Sequence, residues 1–133
     1  MASENRARDA EDAPPGAVLS QLLRGSLVTQ LIHVAAKFGA ADLLRAGPKS
    51  SDELAAAVSV DPQALYRVLR ALASLGIFVE TEAGSFALTP LAEPLRSDVP
   101  GSLRGSAVLY GEPWWWQACG ELLHSVRALK LEE

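Results

Sequence analysis

Residues 50–90 are punctuated so densely that few arrangements remain open to them. Ser51 reads as the cap of a short helix over Asp52–Val58, with Asp52 and Glu53 at the end where a helix is electrically positive. Ser59 and Val60 make the turn. Asp61 caps a second helix with Pro62 at its first position, where a missing N–H costs nothing. Leu65, Val68, Leu69, Leu72 and Leu75 recur at helical spacing, and Gly76 stops them. Ile77–Glu80 and Ser85–Leu88 then read as two short strands joined through Thr81, Glu82, Ala83 and Gly84. Helix, turn, helix and hairpin in that order predict a winged-helix unit.

The flanks predict more helix than such a unit needs. Residues 1–16 are polar and end in Pro14-Pro15-Gly16, which predicts a disordered lead-in. From Ala17 onward Leu19, Leu22, Leu23, Leu27, Gln30, Leu31, Val34 and Phe38 keep three- and four-residue spacing, with a break expected at Gly25-Ser26 and Ser26 as the second cap. Gly39 ends this run, and a short helix over 40–46 follows. Polar residues are scarce along Leu27–Phe38, so the helix reads as apolar on most of its circumference. Such a helix must be buried on most sides. A domain within 133 residues can hardly surround it alone, so a second copy of the chain is the expected cover. The fold class is therefore mainly α: a winged helix-turn-helix with a small β-hairpin, plus N- and C-terminal helices for dimerisation, over residues 17–131.

Charge weighs on what this unit can touch. The exposed side of the second helix would carry Gln63, Arg67, Arg70 and Ser74, residue types able to contact bases and phosphates. Between Ser50 and Leu95, however, two arginines stand against six acids, Asp52, Glu53, Asp61, Glu80, Glu82 and Glu93, and the whole chain carries −4. Affinity for nucleic acid comes from cations neutralising phosphates. A winged-helix DNA-binding transcriptional regulator is thus the alternative reading, with the electrostatics against it, and no nucleic-acid partner is expected. Cys119 stands alone, so neither an intrachain disulfide nor a zinc site is expected, and a small buried hydrophobe is its predicted role. No run is apolar enough to span a bilayer, and the first sixteen residues lack the apolar stretch of a secretion leader, so the expectation is a cytoplasmic protein.

Near the other end, a helix is expected around Ser102–Tyr110 and a last one from just after Pro113. The last opens with Trp114, Trp115 and Trp116. Consecutive helical residues point about 100° apart, so three indoles cannot share one core. Trp115 continues into Cys119, Leu122, Val126 and Leu129 as an apolar stripe. The expected dimer interface comprises Leu19, Leu22, Leu23, Leu27, Leu31, Val34, Trp115 and Leu122. Tyr110, Trp114 and Trp116 are expected to line a pocket for a flat aromatic molecule, since indoles join a large apolar face to a polar N–H.

VAAKFGAADLL, DELAAAV, LYRVLRALASLGIF and the LTPLA that follows the hairpin carry a family resemblance. From about Leu19 to Arg127 the chain resembles the N-terminal dimerisation domain of small-molecule O-methyltransferases, the bacterial polyketide-tailoring members above all. The resemblance implies a homodimer and a share in the lid over a substrate pocket. It also implies a second, Rossmann-like domain that binds S-adenosylmethionine and holds the catalytic base, commonly a histidine. That domain is not expected within these residues. Their glycines are scattered singly, with no dinucleotide-type cluster and no βαβ alternation after the hairpin. In the family the segment like GELLHSVR continues into a Thr-Gly, whereas here Ala128 and Leu129 follow. No catalytic, cofactor-binding or metal-binding residue is expected: His33 reads as a packed helix residue and His124 as facing solvent or the dimer. The chain by itself is expected not to be an enzyme.

Overall fold

The computed structural model of the chain describes residues 12–131. Eight helices and three strands are formed among them. α1 covers Pro15–Leu23, α2 Gly25–Phe38 and α3 Ala40–Leu43. The two-residue strand β1, Lys49–Ser50, leads into α4, Ser51–Val58, and α5 covers Pro62–Ser74. The hairpin strands are β2, Phe78–Glu82, and β3, Ser85–Leu88. A single 3-10 turn at Glu93–Leu95 precedes α6, Arg104–Leu109, α7, Pro113–Gly120, and α8, Leu122–Leu131.

The winged helix forms as its punctuation predicts, with one cap moved. Ser50, not Ser51, is the N-cap of α4: its hydroxyl accepts from the Glu53 N–H at 3.1 Å while Glu53 reaches back to the Ser50 N–H. That reciprocal pair needs a carboxylate three residues after the cap, which only Ser50 has. Asp61 caps α5 through the Ala64 N–H at 2.9 Å. Gly76 takes φ 80 after Leu75, the left-handed geometry that releases the chain from α5 into the hairpin. β1 is an addition to the expected hairpin. It pairs antiparallel with β3, giving the order β1-β3-β2, with Lys49 opposite Phe86 and a bulge between Glu80 and Glu82.

The core lies between α4, α5 and the sheet. Leu54, Leu69, Leu72, Phe78 and Phe86 are buried, and Tyr66 tilts against Phe86 with 5.9 Å between ring centroids. Ala35 of α2, Ala40 and Leu44 close its other side. Small residues there let α2 approach α5 closely.

Outside the winged helix several expected boundaries move. α1 begins at Pro15, inside the expected tail, because proline is pre-set for the first helical position; residues 1–11 of that tail lie outside the described residues. The break between α1 and α2 falls at Arg24, which stays in the right-handed region at φ −84 and ψ 0, so Ser26 sits inside α2 and caps nothing. The expected helix over 40–46 shortens to the single turn α3. The last helix is two helices, divided at Glu121 just after Gly120. Nor is α2 apolar on nearly all sides: Thr29, Gln30, His33 and Lys37 line one edge, and three of them meet the chain around residues 108–112.

Candidate functional site: an aromatic cleft beside a bare apolar face

Two faces of α2 serve different neighbours. On one lie Leu27, Leu31, Val34 and Phe38, at the i, i+4, i+7 and i+11 spacing of a single stripe. Leu27 is exposed and Leu31 and Val34 are half-buried. The stripe runs into an apolar groove of about 200 Å³ where Val34 and Phe38 meet Val60, Leu65 and Val68. α1 extends the same kind of surface. It has no buried residue, and Leu19, Leu22 and Leu23 are 58%, 72% and 74% exposed. Leu122 and Leu123 of α8 are equally bare. Large contiguous apolar surfaces of this sort mark association sites.

The polar edge of α2 faces inward and holds the 108–112 turn. His33 Nδ1 donates to the Val108 carbonyl at 2.9 Å, which places a proton on that nitrogen. Gln30 Nε2 donates to the Gly111 carbonyl at 3.1 Å. Lys37 Nζ lies 2.8 Å from Glu112 Oε1. Lys37 holds the Glu112 carboxyl below its usual range. Arg104 Nε donates to the Ala36 carbonyl at 3.0 Å and its Nη1 lies 3.5 Å from Asp42 Oδ2. Asp42 in turn accepts from the Ser97 hydroxyl at 2.6 Å and the Ser97 N–H at 2.9 Å. Hydrogen bonding from Ser97, aided by Arg104, keeps the Asp42 carboxyl ionised to lower pH than usual. These contacts fix the path from residue 96 to α7.

That path delivers the tryptophans. Trp116 Nε1 donates to the Tyr110 carbonyl at 2.7 Å, and the Tyr110 and Trp115 rings lie tilted with centroids 5.0 Å apart. With Ser26, Thr29 and Cys119 they line a cleft of about 360 Å³. Two of the three residues expected to line a pocket, Tyr110 and Trp116, are brought together there. Trp114 is not among the lining residues; it stands edge-on to Trp115 at 6.0 Å and is 58% exposed. Trp115, expected at the dimer stripe, lines the cleft in its place. Cys119 is exposed rather than a buried hydrophobe, because nothing within the described residues covers this side of α7. Tyr110 also borders a second, larger cavity of about 570 Å³, walled by Ile32, Ile77, Leu91, Leu95, Leu103 and Ala107. Sequence reasoning missed this one: its walls come from four separate segments, none with a pattern of its own. Both volumes suit a drug-sized ligand.

The remaining candidates separate cleanly. His33 is the packed helix residue it was expected to be, and His124 is exposed. No group of three or more histidine, cysteine or acidic side chains able to hold a metal occurs among the described residues. No helix among them is long and apolar enough to cross a membrane. Arg67 and Arg70 border an open polar hollow with Gln63, Asp52 and Tyr66, while Glu80 and Glu82 lie exposed on the wing.

The O-methyltransferase dimerisation domain family matches residues 20–98, more than half of the chain. The chain belongs to that family. Among curated proteins it is 44% identical over 127 residues to the phenazine O-methyltransferase PhzM of Lysobacter antibioticus, covering 96% of this chain and 36% of that protein. It is 40% identical over 100 residues to an 8-amino-8-demethylriboflavin N,N-dimethyltransferase of Streptomyces davaonensis, covering 75% of this chain and 29% of that one. The solved structure of LaPhzM superposes with a TM-score of 0.82 at 45% identity, over 86% of this chain and 34% of that one. The chain thus spans about a third of the length of the relatives it matches. Its mainly helical architecture with a small antiparallel sheet is that of their dimerisation region.

Proposed function

We propose that this chain works as the homodimerising, pocket-roofing part of an S-adenosylmethionine-dependent methyltransferase that modifies flat aromatic natural products. By itself it binds but does not catalyse. The observation that carries this reading is the bare leucine surface of α1 and α2 in a member of a dimerisation family. Leu19, Leu22, Leu23 and Leu27 are each more than half exposed, so covering them with a second copy recovers a part of the roughly 1.5–3 kcal/mol that fully burying such a side chain is worth. Leu31 and Val34 on α2 and the exposed Leu122 on α8 are assigned to the same proposed interface. The relatives are named for phenazine and flavin substrates, and a cleft walled by Tyr110, Trp115 and Trp116 offers faces for rings of that shape. Cofactor and catalytic base belong to the part of such enzymes beyond this match. The acidic wing speaks against the DNA-reading alternative.

A chimera tests this. Residues 12–127 replace the matching third of the Lysobacter enzyme, and methyl transfer to its phenazine substrate is measured. Transfer and a dimeric state are expected. A folded, dimeric chimera with no activity contradicts the roofing role, and a folded monomer contradicts the dimer.

A further inference from the structure

The turn at residues 108–112 touches α2 more closely than hydrogen bonds alone require. A Cβ placed on Gly111 would overlap the His33 side chain, at its Cβ, Cγ and Nδ1. These atoms are the root of that side chain, so no rotamer change moves all of them away. Gly111 is buried and lacks a left-handed φ, so what demands glycine here is the absence of a side chain and not backbone freedom. The flanking bonds repeat the message. His33 holds the Val108 carbonyl, Gln30 the Gly111 carbonyl and Lys37 the Glu112 carboxylate. Glu112 is the N-cap residue of α7, and the carbonyl between these anchors, that of Tyr110, takes the Trp116 N–H.

We propose that His33 and Gly111 form a lock that positions the aromatic cleft, with His33 acting as a positioning residue. The ring of His33 sets the distance between α2 and the 108–112 turn. The turn sets where α7 begins, and the start of α7 sets where Trp115 and Trp116 point relative to Thr29. The other face of α2 carries the Leu27, Leu31 and Val34 stripe, so one rigid helix serves both the apolar seam and the cleft. The ligand side of this proposal rests on the aromatic-site reading above; the geometric side does not.

The three tryptophans of the chain all lie in α7, and two of them, Trp115 and Trp116, line the cleft, so indole emission reports the start of α7 and the cleft together. In the full chain, Gly111→Ala is expected to keep its far-ultraviolet helicity, to shift indole emission to the red, and to weaken quenching by added phenazine about tenfold, equivalent to about 1.4 kcal/mol. Pairing it with His33→Gly removes the overlapping atoms but also the ring that holds the Val108 carbonyl, so it is expected to recover both signals in part, above Gly111→Ala and short of wild type. Pairing it with His33→Ala leaves the His33 Cβ in place and is expected to restore less. Wild-type emission and quenching in Gly111→Ala overturn the lock, as does a helical His33→Gly/Gly111→Ala variant no better than Gly111→Ala alone. Should Gly111→Ala fail to fold, Gln30→Ala takes its place: it deletes one anchor without adding an atom, and emission unmoved from wild type there is equally fatal. If phenazine fails to quench even the wild type, the aromatic-site reading falls, and the emission of the variants still decides the lock.

Discussion

The winged helix and the helices that flank it draw on the same residues and put them to opposite ends. In α5, Leu65, Leu69 and Leu72 recur at helical spacing and are 6%, 0% and 0% exposed. In α1, Leu19, Leu22 and Leu23 recur at the same kind of spacing, and each is more than half exposed. Periodicity identifies an apolar face in both. It does not say whether the chain itself supplies the surface that covers it. α5 has α4, the sheet and the Ala35 side of α2 around it; α1 touches little beyond α2. One set of leucines completes an interior, and the other is left to complete something larger.

The sharpest way to break that contrast is to truncate one leucine of each kind. Leu69→Ala opens a cavity in a filled core and is expected to cost about 2–5 kcal/mol of unfolding free energy at any protein concentration. Leu22→Ala removes a side chain that touches little within its own chain. Its cost is expected to be small in dilute solution and to grow with concentration, as mass action links stability to association. Chemical denaturation of both at two concentrations checks this; equal, concentration-independent costs would erase the distinction.

A smaller effect sharpens it from the polar side. Asp42 ties α3 to the 96–104 segment, which is part of the path to the cleft rather than of the leucine core. Its carboxyl is held low, chiefly by the Ser97 hydroxyl. A folded pKa below the unfolded one contributes stability that is present above the ordinary carboxylate value, about 4, and lost as pH falls through the lower folded value. Asp42→Asn is therefore expected to be less stable than wild type at neutral pH by about 1 kcal/mol, toward the weak end for a partly exposed charged group. The two proteins should converge in denaturation midpoint as the medium is acidified below pH 4. A gap that stays constant with pH would mean that the Asp42 charge is not what holds the segment.

How much of this was legible in the sequence follows the same divide. Asp61-Pro62, Gly76 and the alternation around Phe86 each constrain the backbone locally, and the winged helix could be read from them. β1 could not, because two residues carry no period and its pairing with β3 is long-range. The cap at Ser50 was recoverable from Glu53 three residues on. For the cleft, the aromatic content was visible, and Tyr110 and Trp116 do stand along one wall. The exchange of Trp114 for Trp115 was not foreseeable, because a helical wheel gives relative directions and α7 takes its absolute rotation from the 108–112 turn. The His33–Gly111 contact spans 78 positions and involves a glycine, whose signal is an atom that is absent. The large apolar cavity beside Tyr110 was invisible for a related reason: it is a gap between segments, and gaps leave no pattern in any one of them.

The central claim is that the bare leucines of α1 and α2 are covered by a second copy of the chain. Sedimentation velocity of the purified protein at micromolar concentration, beside a Leu22→Ser/Leu23→Ser variant, tests it most directly. A wild-type boundary at twice the chain mass, shifting toward the single mass in the variant, is the predicted result. A wild-type protein that sediments as a folded single chain throughout would contradict it.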